Sequence, residues 1–333
     1  MTGTEQTNGS GGLIIDVHAH FLDDAVLQLA QSHSVLTGFG ANPLVKPPGG
    51  WPPLFAKMMS PERQIEDMDA RGVAKHVITA STVISPLGWA DGPRAAELNR
   101  RLNDQIAGWV AHRPDRFVGS FTLPLQALDL AMAEFNRATR ELKLGIVNLP
   151  ANVDGVYLGE SRFHPLWSAI REAHVTAFVH PDGVRDPWYQ RYAMWNSIGQ
   201  SIEETRFMTS MIYEGVLDRF PGLKIIVAHG GGYMPHYMGR LDRNVTDKPE
   251  TARNIGRMPS AYLRDFYYDS CVYDPSTLTA LIQRVGADRI VMGSDYPVGD
   301  PEPARLLGLA ESMAKSDLSM IMGGTAARLL GID

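Results

Sequence analysis

The chain has 333 residues, 44% of them hydrophobic and 20% charged, with a formal net charge of −6. That apolar share supports a large core and excludes global disorder. The acidic balance excludes a broad basic face for nucleic acid, and no run of about 18 apolar residues offers a membrane span. With Cys271 as its only cysteine, the chain cannot form an intrachain disulfide, which accords with a reducing cytoplasm.

Residues 1–12, MTGTEQTNGSGG, are polar and rich in Gly and Ser, and they lack the basic and apolar segments of a signal peptide. They read as a disordered tail ahead of a single domain over 13–333. Short apolar, β-rich runs then recur: 13–18, 73–80, 117–122, 144–149, 175–180, 224–229, 265–270 and 289–294. Most are near-continuously apolar, as strands of a parallel sheet buried on both faces should be. Helical patterns separate them. SPERQIEDMDARG has a Ser N-cap, a Pro at its first position and a closing Gly; AAELNRRLNDQIAGWVAHRP, ALDLAMAEFNRATREL and DPSTLTALIQRVG carry apolar residues at helical spacing. Strand–helix alternation repeated eight times predicts an α/β fold of the (β/α)8 TIM-barrel type. A doubly wound open sheet would open with a Gly-rich phosphate loop after its first strand, and DVHAHF is not one. The Gly- and Pro-rich stretch 34–60 reads as a long lid-like insertion after the first strand.

The chemistry sits where predicted strands end. His18 and His20 stand at i and i+2, so both can face the barrel axis. His180 closes the fifth strand, His229 the sixth and Asp295 the eighth. In a barrel these ends converge on one face, the place where active sites are built. Imidazole nitrogens with a carboxylate oxygen suit Zn²⁺, and also Mn²⁺ or Fe²⁺. A second metal would need a bridging ligand from the fourth strand. That strand carries Asn148 and no Lys, so a mononuclear centre is expected. His33, His76, His112, His164 and His174 read as surface or packing residues, and His236 stays open.

The ordered set DVHAH, FVHPDG, VAHGGG and GSDYP resembles the amidohydrolase superfamily. It resembles more closely the branch of metal-dependent decarboxylases typified by α-amino-β-carboxymuconate-ε-semialdehyde decarboxylase, which also holds the γ-resorcylate and 5-carboxyvanillate enzymes. SPERQIEDMDARGV, HRPDRFVGSFTLPLQ, GVLDRFPGLKIIVAHGGG and YYDSCVYDP extend the likeness from about residue 13 to the end. The resemblance implies metal ligands His18, His20, His180 and Asp295, with His229 as the acid/base residue beside the metal. It implies a small unsaturated or aromatic carboxylic acid as substrate and a decarboxylase reaction. Aromatic-acid members tend to have Glu at the first His, so the retained His-x-His favours the semialdehyde side and Zn²⁺ over Mn²⁺. Those relatives hold a substrate carboxylate with an arginine in the long first loop; here none occurs between Phe21 and Pro61. Arg240 matches an arginine that in the family reaches the neighbouring subunit's site, which implies a homodimer.

Two chemical routes remain open. Either a water at the cation yields its proton to His229 and adds to a substrate double bond, or Asp295 or His229 protonates the ring carbon directly. Asp269, ending the seventh strand, can orient a histidine. Trp51, Phe55, Trp188, Trp195 and Tyr273 can stack on a planar substrate. The glycines 230–232 read either as a close backbone approach that opens a helix toward an anion or as a plain tight turn. The same constellation could also hydrolyse an amide, lactone or other ester.

Overall fold

The computed structural model describes residues 13–30, 49–182, 184, 186–299, 309 and 313–332. The expected tail and the first part of the expected lid lie outside the described residues. The remainder of that stretch is less irregular than its composition suggests, since Pro53–Met58 forms a short helix with Pro52 as its N-cap residue.

The strands are β1 (Ile15–Phe21), β2 (Lys75–Ala80), β3 (Phe117–Phe121), β4 (Ile146–Leu149), β5 (Asn152–Val153), β6 (Val156–Tyr157), β7 (Thr176–Val179), β8 (Lys224–Val227), β9 (Tyr267–Asp269) and β10 (Ile290–Val291). Eight of them form one sheet in the order β1-β2-β3-β4-β7-β8-β9-β10, and every pair within it is parallel. The cylinder closes between the last strand and the first: Val17 N donates to Met292 O at 2.9 Å, Tyr296 N to His18 O at 3.0 Å and His20 N to Tyr296 O at 2.9 Å. This is the expected (β/α)8 barrel. Among the described residues it carries an antiparallel β5–β6 hairpin as an addition, whose two-residue strands are too short to show a period in sequence.

Helices cover the outside for reasons written in their ends. Ser60, Asp91 and Asp274 each accept a bond from a backbone N–H three residues on, at 3.3, 2.8 and 2.8 Å, each with a proline in the first two helical positions. Such caps contribute about 1 kcal/mol apiece. Gly72 stops the helix Pro61–Arg71 in the left-handed conformation.

Inside the barrel, Ile15, Val17, Val77, Ile146, Phe178, Ile226 and Val291 pack together. Ala326 and Leu329 of the helix Thr325–Leu330 close this cluster at the strand starts, where Lys224 Nζ donates to Leu329 O at 3.1 Å. The apolar filling ends at Phe178, whose ring lies 5.0 Å from that of His18. Pure alternation along β1 would set Val17 and His18 on opposite faces. The β1–β2 register slips between Asp16 and Ala19, and this irregularity lets Val17 join the interior while His18 and His20 both serve the rim.

Candidate metal centre and active site

The site side chains come from five strands, at or near their C-terminal ends. His18 and His20 come from β1, His180 follows β7, His229 follows β8, Asp269 ends β9 and Asp295 follows β10. One ligand atom from each of His18, His20, His180 and Asp295 lies within 4.8 Å of the others, and all four residues are buried. A metal site therefore exists at this rim.

The hydrogen bonds around the donors say why a cation suits them. His18 Nδ1 lies 2.7 Å from Asp269 Oδ2, and a carboxylate only accepts, so Nδ1 carries the proton. In the neutral ring Nε2 then bears a lone pair. That nitrogen is buried without a hydrogen-bond partner, 3.2 Å from Asp295 Oδ1. Two acceptors face each other, which only a proton or a metal cation can reconcile. His180 repeats the logic: its Nδ1 donates to Pro181 O at 2.9 Å and leaves Nε2 as a donor of electrons. His20 Nε2 stands 2.7 Å from Asp295 Oδ1.

The electrostatics follow from this crowding. Burial alone would lower the His18 pKa, but the Asp295 and Asp269 carboxylates outweigh it and raise it to about 9. Burial, then the neighbouring imidazoles, push His180 well below its ordinary value, and burial lowers His20. Asp295 is held well below the carboxylate range because the histidines overcome its desolvation. A dication would take over the role of the proton between His18 and Asp295.

His229 stands beside the cluster, not inside it. Its Nε2 is 3.8 Å from Asp295 Oδ2, while its Nδ1 is 2.5 Å from Glu204 Oε1. Burial would lower the His229 pKa; the Glu204 and Asp295 carboxylates reverse this and hold it well above the usual value. Burial raises Glu204 to about 7 against the pull of His229.

Glu204 is the residue that sequence reasoning missed. It lies on the helix Gly199–Tyr213, among the buried Phe207, Met208, Met211 and Ile212. A carboxylate in register with that apolar stripe, at i+3, i+4, i+7 and i+8, was the available signal. Asp16 is a second missed residue. Its Oδ1 accepts from His18 N at 3.0 Å and from Ser294 N at 3.1 Å, and Oδ2 accepts from Ser294 Oγ, which ties β1 to the segment carrying Asp295.

Backbone shape does part of the work. His229 and Asp295 both sit at positive φ, 48° and 58°, where the chain turns off its strand. Gly230, Gly231 and Gly232 share that region, and a Cβ on Gly232 would lie 2.3 Å from Ser201 O and 2.9 Å from Glu204 Oε2. The triplet thus serves close approach. The helix after it, Met234–Tyr237, has four residues and offers no anion site of its own.

Two hollows flank the cluster. A cleft of about 660 Å³ on the β8–β9 side is lined by His229, His236, Cys271 and Tyr273. A narrower recess on the β2–β7 side reaches His180 and is lined by Asn99, Gln126 and Asn148. Of the sequence-predicted substrate contacts, Tyr273 comes closest, with its OH 3.2 Å from Asp295 Oδ2. Trp51 donates its N–H to Asp24 at 2.5 Å and packs toward Phe55, and Trp195 is buried; neither lines the two hollows. Trp188 is exposed. Arg240 is exposed and lines, with Tyr233 and Tyr237, a groove that adjoins the β8–β9 cleft, since Tyr233 and His236 line both. His76 is a packing residue as expected, bonded to Gln64 Oε1 at 3.0 Å, and His33 lies outside the described residues.

Comparison with known proteins agrees with this geometry. A family profile described as Amidohydrolase matches residues 15–332. The chain is 29% identical to the 2-amino-3-carboxymuconate-6-semialdehyde decarboxylase of Dictyostelium discoideum over 96% of its length and 92% of the relative's. It is 30% identical to the γ-resorcylate decarboxylase of Rhodococcus jostii (strain RHA1), covering 72% of this chain and 78% of that one. Among solved structures, 5-carboxyvanillate decarboxylase from Sphingomonas paucimobilis matches with a TM-score of 0.83 and 25% identity over 97% of this chain and all of that one. A dihydroxybenzoic acid decarboxylase from Polaromonas sp. JS666, with bound manganese and 2-nitroresorcinol, matches with a TM-score of 0.83 and 26% identity over 97% and 98%. Fold, donor set and relatives agree, and the chain belongs to the amidohydrolase family.

Proposed function

We propose that the protein is a metal-dependent, non-oxidative decarboxylase of a small unsaturated or aromatic carboxylic acid. The observation that carries the reading is the placement of His229 Nε2 next to the four-donor centre, 3.8 Å from Asp295 Oδ2, at the wall of a cleft of about 660 Å³. The names of its relatives support the reaction class.

His18, His20, His180 and Asp295 would hold one divalent ion. We put Zn²⁺ first, on the count of three imidazoles, and Mn²⁺ second, on the manganese bound in the Polaromonas relative. When bound, such an ion supplies a Lewis acid that grips the substrate's carboxylate and neutralises charge. Asp269 holds the His18 ring, and Pro181 O the His180 ring, so that each presents Nε2 inward. With Nδ1 committed to Glu204, His229 exchanges a proton with the acid at Nε2. A proton delivered from there to the carbon bearing the carboxylate makes that carbon sp³. The C–C bond then breaks, CO2 leaves, and the bonding pair restores the unsaturation. Tyr273 lines the cleft beside the substrate.

We place the protein in the cytoplasm as a homodimer, with the exposed groove of Tyr233, Tyr237 and Arg240 facing the second copy and Arg240 turned to its mouth. No helix among the described residues is long and apolar enough to cross a membrane. The deciding experiment is a CO2-release screen of the metal-loaded protein against hydroxybenzoates, aminobenzoates and muconate-like acids. Hydrolysis of lactones with no gas evolved would overturn the proposal.

A further inference from the structure

We infer that Asn148 sets substrate specificity by reading a neutral hydrogen-bond donor, a hydroxyl or amino group, on the acid. The inference rests on the decarboxylase reading and names the substrate class for it. Asn148 is on β4, paired in register with Phe178 of β7, two residues before His180. Its Nδ2 donates to Ala80 O at 3.0 Å, at the end of β2. That bond fixes which end of the amide is which, because a carbonyl cannot receive the other end. Oδ1 is therefore turned the other way, and it is buried without a hydrogen-bond partner. Asn148 lines the recess that also reaches His180, so an acid held at the metal centre would have its neighbouring substituent within reach of this acceptor.

The lining of the recess narrows the class further. Ser81, Thr82, Ser85, Asn99 and Gln126 are polar and uncharged, and Asp182 is the one carboxylate. Among the described residues no Lys or Arg lines the recess or the His229 cleft. A second carboxylate placed there would meet an acceptor and a negative charge. A hydroxyl or amino group would meet an acceptor that lacks a donor. Buried acceptors built to receive a substrate donor discriminate strongly against analogues without it.

The test compares each hydroxy- or aminobenzoate with its methyl ether or N,N-dimethyl counterpart and with the matching benzenedicarboxylate. CO2 release gives kcat and KM, and calorimetric titration of the same acids gives affinity, in the parent protein and in Asn148→Leu and Asn148→Asp. The parent should favour the donor-bearing acid by on the order of 10²-fold in kcat/KM. Asn148→Leu should cut that preference to about threefold, mainly through KM, and Asn148→Asp, which keeps an acceptor but sets its second oxygen against Ala80 O, should fall between Asn148→Leu and the parent. An unchanged preference in Asn148→Leu, or dicarboxylates that match the hydroxy acids, overturns the inference while leaving the decarboxylase reading intact. If no acid releases CO2, that reading falls, and the titrations still decide the role of Asn148 by the same contrast.

Discussion

Asp269→Asn changes one atom and should cost the protein most of its hold on a metal. Asp269 accepts three bonds: from His18 Nδ1 at 2.7 Å through Oδ2, and from the backbone N–H groups of Gly230 at 3.1 Å and Cys271 at 3.2 Å through Oδ1. An asparagine has one oxygen. The two backbone donors are fixed by the chain, so the oxygen stays with them and the NH2 turns to His18. Donor then faces donor. His18 escapes by moving its proton to Nε2, the atom aimed at Asp295, and a protonated Nε2 cannot ligate. Restoring the productive tautomer means leaving a buried donor unpaired beside a lost charge-assisted bond, about 1.5–3 kcal/mol. That corresponds to a loss of about 10- to 100-fold in metal affinity, the range seen when an outer partner of a ligating histidine is removed. Competition titration with a chromophoric chelator reads the affinity directly. The metal-free variant should melt within a few degrees of the parent, since volume is conserved and Nε2–H gains Asp295 as its acceptor. A metal affinity within twofold of the parent would refute the tautomer argument.

His229→Ala should lower kcat by about 10²- to 10⁴-fold while elemental analysis finds near-parental metal, whereas His180→Ala should lose the ion itself; the reverse pattern would exchange their roles. Glu204→Gln should reduce turnover by about 10- to 100-fold with metal affinity unchanged, because the neutral amide no longer holds a charged His229; measured kcat equal to the parent's would remove Glu204 from the active site. Gly293→Ala should destabilise the protein by about 1–3 kcal/mol and weaken metal binding, because the new Cβ would lie 2.7 Å from Asp269 Cβ and 3.1 Å from His18 Cβ. Parental melting and metal titration curves together would show that β1, β9 and β10 part more easily than their packing implies.

Much of the barrel was legible because its strands are buried on both faces and spell continuous apolar runs. LIIDVH, KIIVAH and RIVMGS needed no periodicity to be found, and each ended on a residue too polar for the core. The same feature located the metal centre. A parallel barrel brings every strand's C-terminal end to one rim, so position along each strand was enough to bring His18, His180 and Asp295 together from 277 residues of sequence separation, as the 18-to-295 numbering shows. The helix ends were readable for a local reason: Ser60, Asp91 and Asp274 cap within three residues of themselves.

The contacts that stayed hidden are those that no strand end announces. Glu204 meets His229 from the middle of a helix, 25 positions away, and a glutamate in a helix ordinarily faces solvent. Only its phase with Phe207, Met208, Met211 and Ile212 marks it as buried. The glycine at 232 is the counterpart of that carboxylate, since any larger residue would press on Oε2. Asn148 was noticed only for the lysine it is not. The hydrogen bond from its side-chain NH2 to Ala80 O spans from β4 to β2 past the intervening β3, a connection that strand order permits and sequence cannot show. In each case the missing information is a side-chain direction fixed by a partner on another element. The metal ligands escape that difficulty because the barrel supplies their common direction itself. The side chains around them get theirs from single hydrogen bonds, Glu204 to His229 and Asn148 to Ala80, and such bonds are where relatives on the same scaffold can diverge.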